Sequence, residues 1–129
     1  MNSRTAGPDW DYIYHLLAVR SGGRCEITGV RLTRANSSIH HRRPRGMGGT
    51  SRADVHDLCN LILAEGHGTI GAHAWAEINR TAASERGLLV PQALDPAMIP
   101  VTLWSGRRVL LDPVSPIYLP PTDGVLYAV

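Results

Sequence analysis

Ser38-Ile39-His40-His41-Arg42-Arg43-Pro44-Arg45-Gly46-Met47-Gly48-Gly49 opens the stretch whose reading decides the fold. It continues through Leu58-Cys59-Asn60-Leu61-Ile62-Leu63 and closes on Gly66-His67-Gly68-Thr69-Ile70-Gly71-Ala72-His73-Ala74-Trp75-Ala76-Glu77. Ser38 to His41 reads as a short strand, and Pro44 with Gly46, Gly48 and Gly49 forces the chain out of it. Arg42 to Asp57 is then a loop, and a loop of that length in a small domain is usually functional or disordered. Leu58 to Leu63 is a continuous apolar run suited to a buried strand. Thr69 is placed to cap a helix from about Ala72 to Glu85, which Gly87 stops.

Upstream, Asp9 can cap a helix whose Trp10, Ile13, Tyr14 and Leu17 recur at helical spacing, ended by Ser21-Gly22-Gly23. Arg24 to Val30 reads as a short strand turning at Gly29, and Arg31 to Ser37 as a polar connection. Downstream, Leu88-Leu89-Val90 returns to the core. Val101 to Trp104 and Arg107 to Leu111 form a hairpin across Ser105-Gly106. The proline-rich tail from Asp112 is extended. Strands and helices in this order predict an α+β fold.

The 129 residues suffice for one domain with a modest core. No apolar run approaches the roughly 20 residues of a membrane span, and the start carries no apolar signal segment. The expectation is a cytoplasmic protein. Cys25 and Cys59 are the only cysteines, too few for a disulfide framework, and read as free buried thiols. The formal net charge of +2 conceals an asymmetry. All 13 basic residues are arginine, and eight of them lie between Arg20 and Arg52 against the single acid Glu26. Such a concentration makes a field suited to a polyanion, and arginine grips phosphate with a planar fork of donors. The absence of lysine and phenylalanine also fits a GC-rich genome.

Phosphodiester hydrolysis needs a cation to neutralise charge and a base to deprotonate water. Histidine, with an ordinary pKa of about 6.5, can be that base at neutral pH. Neighbouring strand residues point to opposite sides, so His40 and His41 divide the labour between metal and water. His73, in the first turn of the expected helix, and Glu77, four residues on along the same face, form a sensible pair of ligands.

The segment resembles the HNH endonuclease family, whose catalytic unit is the ββα-metal (His-Me finger) motif, and is closest to small actinobacterial and phage HNH proteins. The likeness rests on Ser38 to Gly49, on Asn60-Leu61, and on Gly68-Thr69-Ile70-Gly71-Ala72-His73-Ala74-Trp75. It implies a catalytic core at about residues 24–85 and a C-terminal hairpin extension at about 96–112. By position, His40 resembles the metal ligand ending the first strand and His41 the general base. Asn60 resembles the asparagine that ties the loop down and helps hold the base. His73 resembles the ligand at the helix start, with Glu77 as a further ligand and Asn79 as its weaker substitute. Arg42, Arg43 and Arg45 are the expected phosphate contacts. The resemblance implies DNA as substrate and one divalent ion, Mg²⁺ first, with Mn²⁺, Ni²⁺ or Zn²⁺ as alternatives. It also leaves room for a phage packaging protein or another protein as partner, and for a degenerate module that binds DNA or protein without cutting.

Many such relatives hold a structural zinc with two Cys-x-x-Cys-like pairs. Here Cys25 has Thr28 where its partner would be, and Ala64-Glu65 and Ala72 stand in the region of the second pair. No structural zinc is expected, and the N-terminal helix and C-terminal hairpin are the expected sources of the folding free energy it would supply. His15 and His56 read as bland, the latter as exposed loop, while His67 lies near the expected site.

Overall fold

The computed structural model describes residues 7–44, 54–66 and 71–121. Helix α1 (Trp10–Ser21) begins where Asp9 accepts the Tyr12 N–H at 3.1 Å and ends at Gly22. Strands β1 (Ser37–His41) and β2 (Leu61–Glu65) pair antiparallel, with His41 opposite Leu61, His40 opposite Ile62 and Ile39 opposite Leu63. Helices α2 (Gly71–Ile78) and α3 (Arg80–Glu85) follow. The chain closes with β3 (Val101–Thr102), β4 (Arg108–Leu111) and β5 (Tyr118–Leu119), an antiparallel three-stranded sheet. The fold is α+β.

Pairing register puts opposite residues on one face of a sheet, so the β1–β2 pair has two distinct sides. Leu61 and Leu63 pack with Leu17, Ile13 and Tyr14 of α1. Ile62 and Ala64 turn the other way, into the main core with Ala72, Ala76, Leu88, Val101 and Leu111. Both sides of β2 are therefore dry, which explains its unbroken apolar sequence. His41 shares the α1 side with Leu61, and His40 the α2 side with Ile62.

Four expectations shift. Leu58 to Asn60 is a 3₁₀ turn and not the start of the strand, because Asn60 N–H turns back to Asp57 O at 2.9 Å. The expected helix to Glu85 is two helices, broken at Asn79, whose φ of −103° and ψ of 60° are non-helical. Arg24 to Val30 is a turn and not a strand; only Arg24 and Arg31 bridge across it. Cys25 Sγ accepts the Thr28 and Glu65 N–H groups at 3.3 Å each, which draws that turn against β2. The extended tail gains a strand, with Tyr118 paired to Leu111. Thr69, the expected cap, lies outside the described residues.

A buried ionic network joins α1 to β5. Arg20 of α1 meets Glu26 through two parallel bonds of 2.9 and 2.8 Å, with both side chains fully buried. Its remaining donors reach Leu58 O at 2.9 Å and Leu61 O at 2.6 Å. Glu26 accepts in addition from Leu63 N at 2.8 Å and from the Tyr118 hydroxyl at 2.7 Å. Such a pair is tolerable in a core because every oxygen and nearly every donor is matched. Gly87 closes the other end of the core: its φ is +76°, and a Cβ there would lie 2.0 Å from Pro100 O. Only glycine fits both constraints.

Candidate functional site

The ends of β1 and β2 that carry His41 and Leu61 set the site. Antiparallel pairing runs one step beyond the strands, where Arg42 N–H donates to Asn60 O at 2.8 Å. Asn60, wholly buried, then uses its side chain as a clamp. Its Oδ1 accepts Arg43 N–H at 2.7 Å, and its Nδ2 donates to Val55 O at 2.9 Å and Arg43 O at 3.3 Å. Both ends of the long loop are thereby fastened to one carboxamide, and the backbone immediately after His41 is fixed.

The two histidines differ as their opposite faces require. His40 is 1% exposed, and its Nε2 lies 2.7 Å from Leu88 O. A carbonyl only accepts, so Nε2 carries a proton and donates it. His41 is half-buried, and its Nε2 lies 3.1 Å from His56 Nδ1. Trp10 stands edge-on to both rings, with centroids 6.1 Å from His41 and 4.9 Å from His56. His41 lines a cleft of about 360 Å³ with Trp10, Tyr14, Arg34, Ser38 and Ile39. The Arg34 guanidinium lies 4.6 Å from the Tyr14 ring centre and pairs with Asp11 at 2.6 Å. Both partners are exposed, so that pair is weak and an incoming anion can compete for the arginine.

Arg42 and Arg43, expected at phosphates, are instead inside the protein. Arg42 is fully buried and donates to Gly87 O at 2.7 Å, Cys59 O at 2.7 Å, Pro96 O at 3.0 Å and Ile99 O at 2.6 Å. Burial lowers its pKa to about 10, still far above neutrality, so it enters the core as a cation. Arg43, 4% exposed, donates to Leu94 O at 2.7 Å and to Asp54 at 2.8 Å. Loops whose carbonyls converge need a multidentate donor, and arginine is the side chain that supplies one. Arg45 lies outside the described residues, as does His67.

Glu77 is exposed and pairs with Arg80 at 3.3 Å. Asn79 is also exposed and returns its Nδ2 to Trp75 O at 3.0 Å. His73 lies in the first turn of α2, with its side chain outside the described residues. Among the described residues no group of three or more His, Cys, Asp and Glu side chains is arranged to hold a metal ion. Cys25 and Cys59 are buried free thiols, and burial pushes the Cys59 thiol up to about 11.

His56 and Trp10 join the site without having been expected there. A signal existed for His56: the residues just outside an antiparallel pair must approach each other, and His56 shortly precedes Leu58 as Arg42 follows His41. Among the described residues no helix is long and apolar enough to cross a membrane. No family model, curated protein or solved structure matches the chain.

Proposed function

We propose that the chain is a metal-dependent endonuclease of the HNH type that hydrolyses DNA phosphodiester bonds, with β1, β2 and α2 as its ββα-metal unit. One observation carries the reading. His41 is a half-buried imidazole held from three directions, by the Asn60 clamp on the backbone beside it and by His56 and Trp10 on its ring, at the wall of an open cleft. Such restraint on a ring facing solvent suits a base that must meet a water at a fixed position.

When bound, a divalent ion supplies charge neutralisation at the phosphate and the departing oxygen. His40 fits a ligand role, because its Nε2–H is fixed on the Leu88 carbonyl and the neutral ring would offer Nδ1 to the ion. Ligating histidines are commonly held this way from behind. His73 would be its partner by the family resemblance; Glu77, turned to Arg80, fits less well.

The tautomer that makes His41 a base is the one in which its Nε2–H donates to His56 Nδ1. Its own Nδ1 then takes the proton from water. The imidazolium so formed keeps its Nε2–H on His56, which therefore stabilises the charged form without itself changing protonation. Arg34, exposed and lining the same cleft, would serve as a guanidinium for a phosphate.

The test is nicking of supercoiled plasmid with Mg²⁺ or Mn²⁺, with and without EDTA. Nicking should stop in EDTA and fall by at least about 100-fold in His41→Ala, with DNA affinity held within a few-fold. His56→Ala should slow cutting by roughly 10- to 100-fold, and His56→Gln, which can still accept through its Oε1, should recover part of it. A His41→Ala protein that cut at the wild-type rate would refute the assigned base. A second reading, a module that binds DNA without cutting, is favoured by Glu77 facing away toward Arg80. It predicts DNA binding with no EDTA-sensitive nicking.

A further inference from the structure

With Arg42 and Arg43 buried, exposed positive charge among the described residues lies elsewhere, and the β3–β4 hairpin combines it with an open aromatic ring. Trp104 stands at the tip of the β3–β4 hairpin and is 50% exposed. It does not hang loose. Its backbone N–H donates to Glu26 O at 3.1 Å. Its indole lies directly on Gly29, where a Cβ would come within 2.5 Å of the ring. The Arg24 guanidinium, anchored on Gly29 O at 2.9 Å, sits 5.7 Å from the ring centre. The indole is thus seated on the Arg24–Arg31 turn while half of the residue is open to solvent.

The turn and the hairpin both carry exposed arginines. Arg31, bridged to Arg24, is exposed, and so is Arg107 in the hairpin turn. The one acid of the turn, Glu26, is buried and already neutralised by Arg20. Arginines that can meet phosphate, spaced about an immobilised aromatic face, are the combination that binds a strand whose bases are unpaired. A paired duplex offers such a ring no base face except at its ends. The turn meets β2 on the edge away from β1, through Glu26 N–H on Leu63 O, so this face lies across β2 from His41.

We infer that the face made by the Arg24–Arg31 turn and the Trp104 hairpin binds single-stranded nucleic acid, with the indole stacking on a base and Arg31 and Arg107 on the flanking phosphates. The inference deepens the nuclease reading and rests on its choice of nucleic acid as the substrate class. It makes the strand segment held here distinct from the bond presented to His41.

The test is fluorescence anisotropy of labelled oligothymidylate, and of a blunt duplex of equal length, with the full-length chain in EDTA, so that binding is read without cutting. Trp104→Ala should weaken single-strand binding about tenfold and duplex binding much less, while Trp104→Tyr stays near wild type. The Arg31→Gln, Arg107→Gln double variant should flatten the salt dependence by about 0.7 for each phosphate no longer neutralised. Circular dichroism melts establish that each variant is folded; where Trp104→Ala is not, the arginine pair carries the decision. Wild-type single-strand affinity in folded Trp104→Ala, or a wild-type salt slope in the folded arginine pair, would overturn the inference, as would no oligonucleotide binding by the wild type. Release of a partner protein by Trp104→Ala with oligonucleotide affinity intact would also overturn it. Absence of plasmid nicking with the binding differences preserved would sink the nuclease reading alone.

Discussion

Arg42→Lys separates the two roles an arginine beside His41 could have. If the side chain met phosphate, lysine would keep the charge, and stability would hardly change. In the structure the guanidinium is wholly buried and bonds four carbonyls, those of Gly87, Cys59, Pro96 and Ile99. A lysine has three donors on one nitrogen and cannot reproduce a planar fork that spans loops on several sides. At least one carbonyl and in practice two are orphaned, each at about 1–3 kcal/mol. The ammonium is also more strongly hydrated than the guanidinium it replaces. Together these give a loss of about 3–5 kcal/mol, the range for breaking a buried charged pair. With a urea slope of about 1–3 kcal/mol per molar, the midpoint should fall by roughly 2 M. Equilibrium urea unfolding followed by circular dichroism reads this directly, and oligonucleotide anisotropy on the folded fraction should show an unchanged salt slope. A lysine variant within about 0.5 kcal/mol of wild type, the range of an ordinary surface substitution, with weakened DNA binding would refute the buried role.

Two further outcomes follow from the ionic network and the segment beside it. Tyr118→Phe removes a hydroxyl that donates to Glu26 at 2.7 Å and should cost about 1–3 kcal/mol near neutral pH. Burial first, then the Glu26 carboxylate, raise the Tyr118 pKa, so its contribution is complete below the ordinary tyrosine value of about 10 and shrinks above it. The gap between variant and wild type in thermal melts should therefore narrow at alkaline pH, and a gap independent of pH would contradict the assignment. Asp112 accepts the Ser115 and Val114 N–H groups at 2.6 and 2.9 Å, which lower its pKa. Asp112→Ala should be less stable than wild type at neutral pH. The difference should vanish as pH falls through the depressed carboxyl value, and a difference that grew in acid would be the wrong sign.

What the sequence disclosed depended on whether the decisive interactions were local. Helix α1 is written in Asp9 and in the spacing of Trp10, Ile13, Tyr14 and Leu17, and β1 in four residues and a proline. The run at Leu58 was ambiguous in principle. A doubly buried strand and a buried turn both read as apolar, and only the bonds to Asp57 and Pro113 decide between them. The helix break at Asn79 hinges on one residue of modest helix propensity, which shows little in a window average. Arg42 and Arg43 were misplaced for a different reason. Charge counted along a chain is assumed to be at the surface, because burial of an unpaired cation is costly. The carbonyls that receive Arg42 come from positions 59, 87, 96 and 99, and no local pattern announces their convergence.

The burial of those two arginines bears on the site as well as on stability. Arg42 and Arg43 leave the strand directly after His41, and their backbones are held by Asn60 and, through Val90 N–H on Arg42 O at 2.8 Å, by the return to the core. Their side chains fix the same two residues from inside. His41 therefore sits at the end of a segment immobilised by backbone and side chain alike, while its ring alone projects into the cleft. A residue placed to meet DNA at position 42 would give up that rigidity, since a phosphate-binding side chain must remain solvated and free to adjust. In the proposed nuclease the two tasks are separate: the arginines beside His41 hold it still, and exposed arginines such as those at 31, 34 and 107 would meet the polyanion.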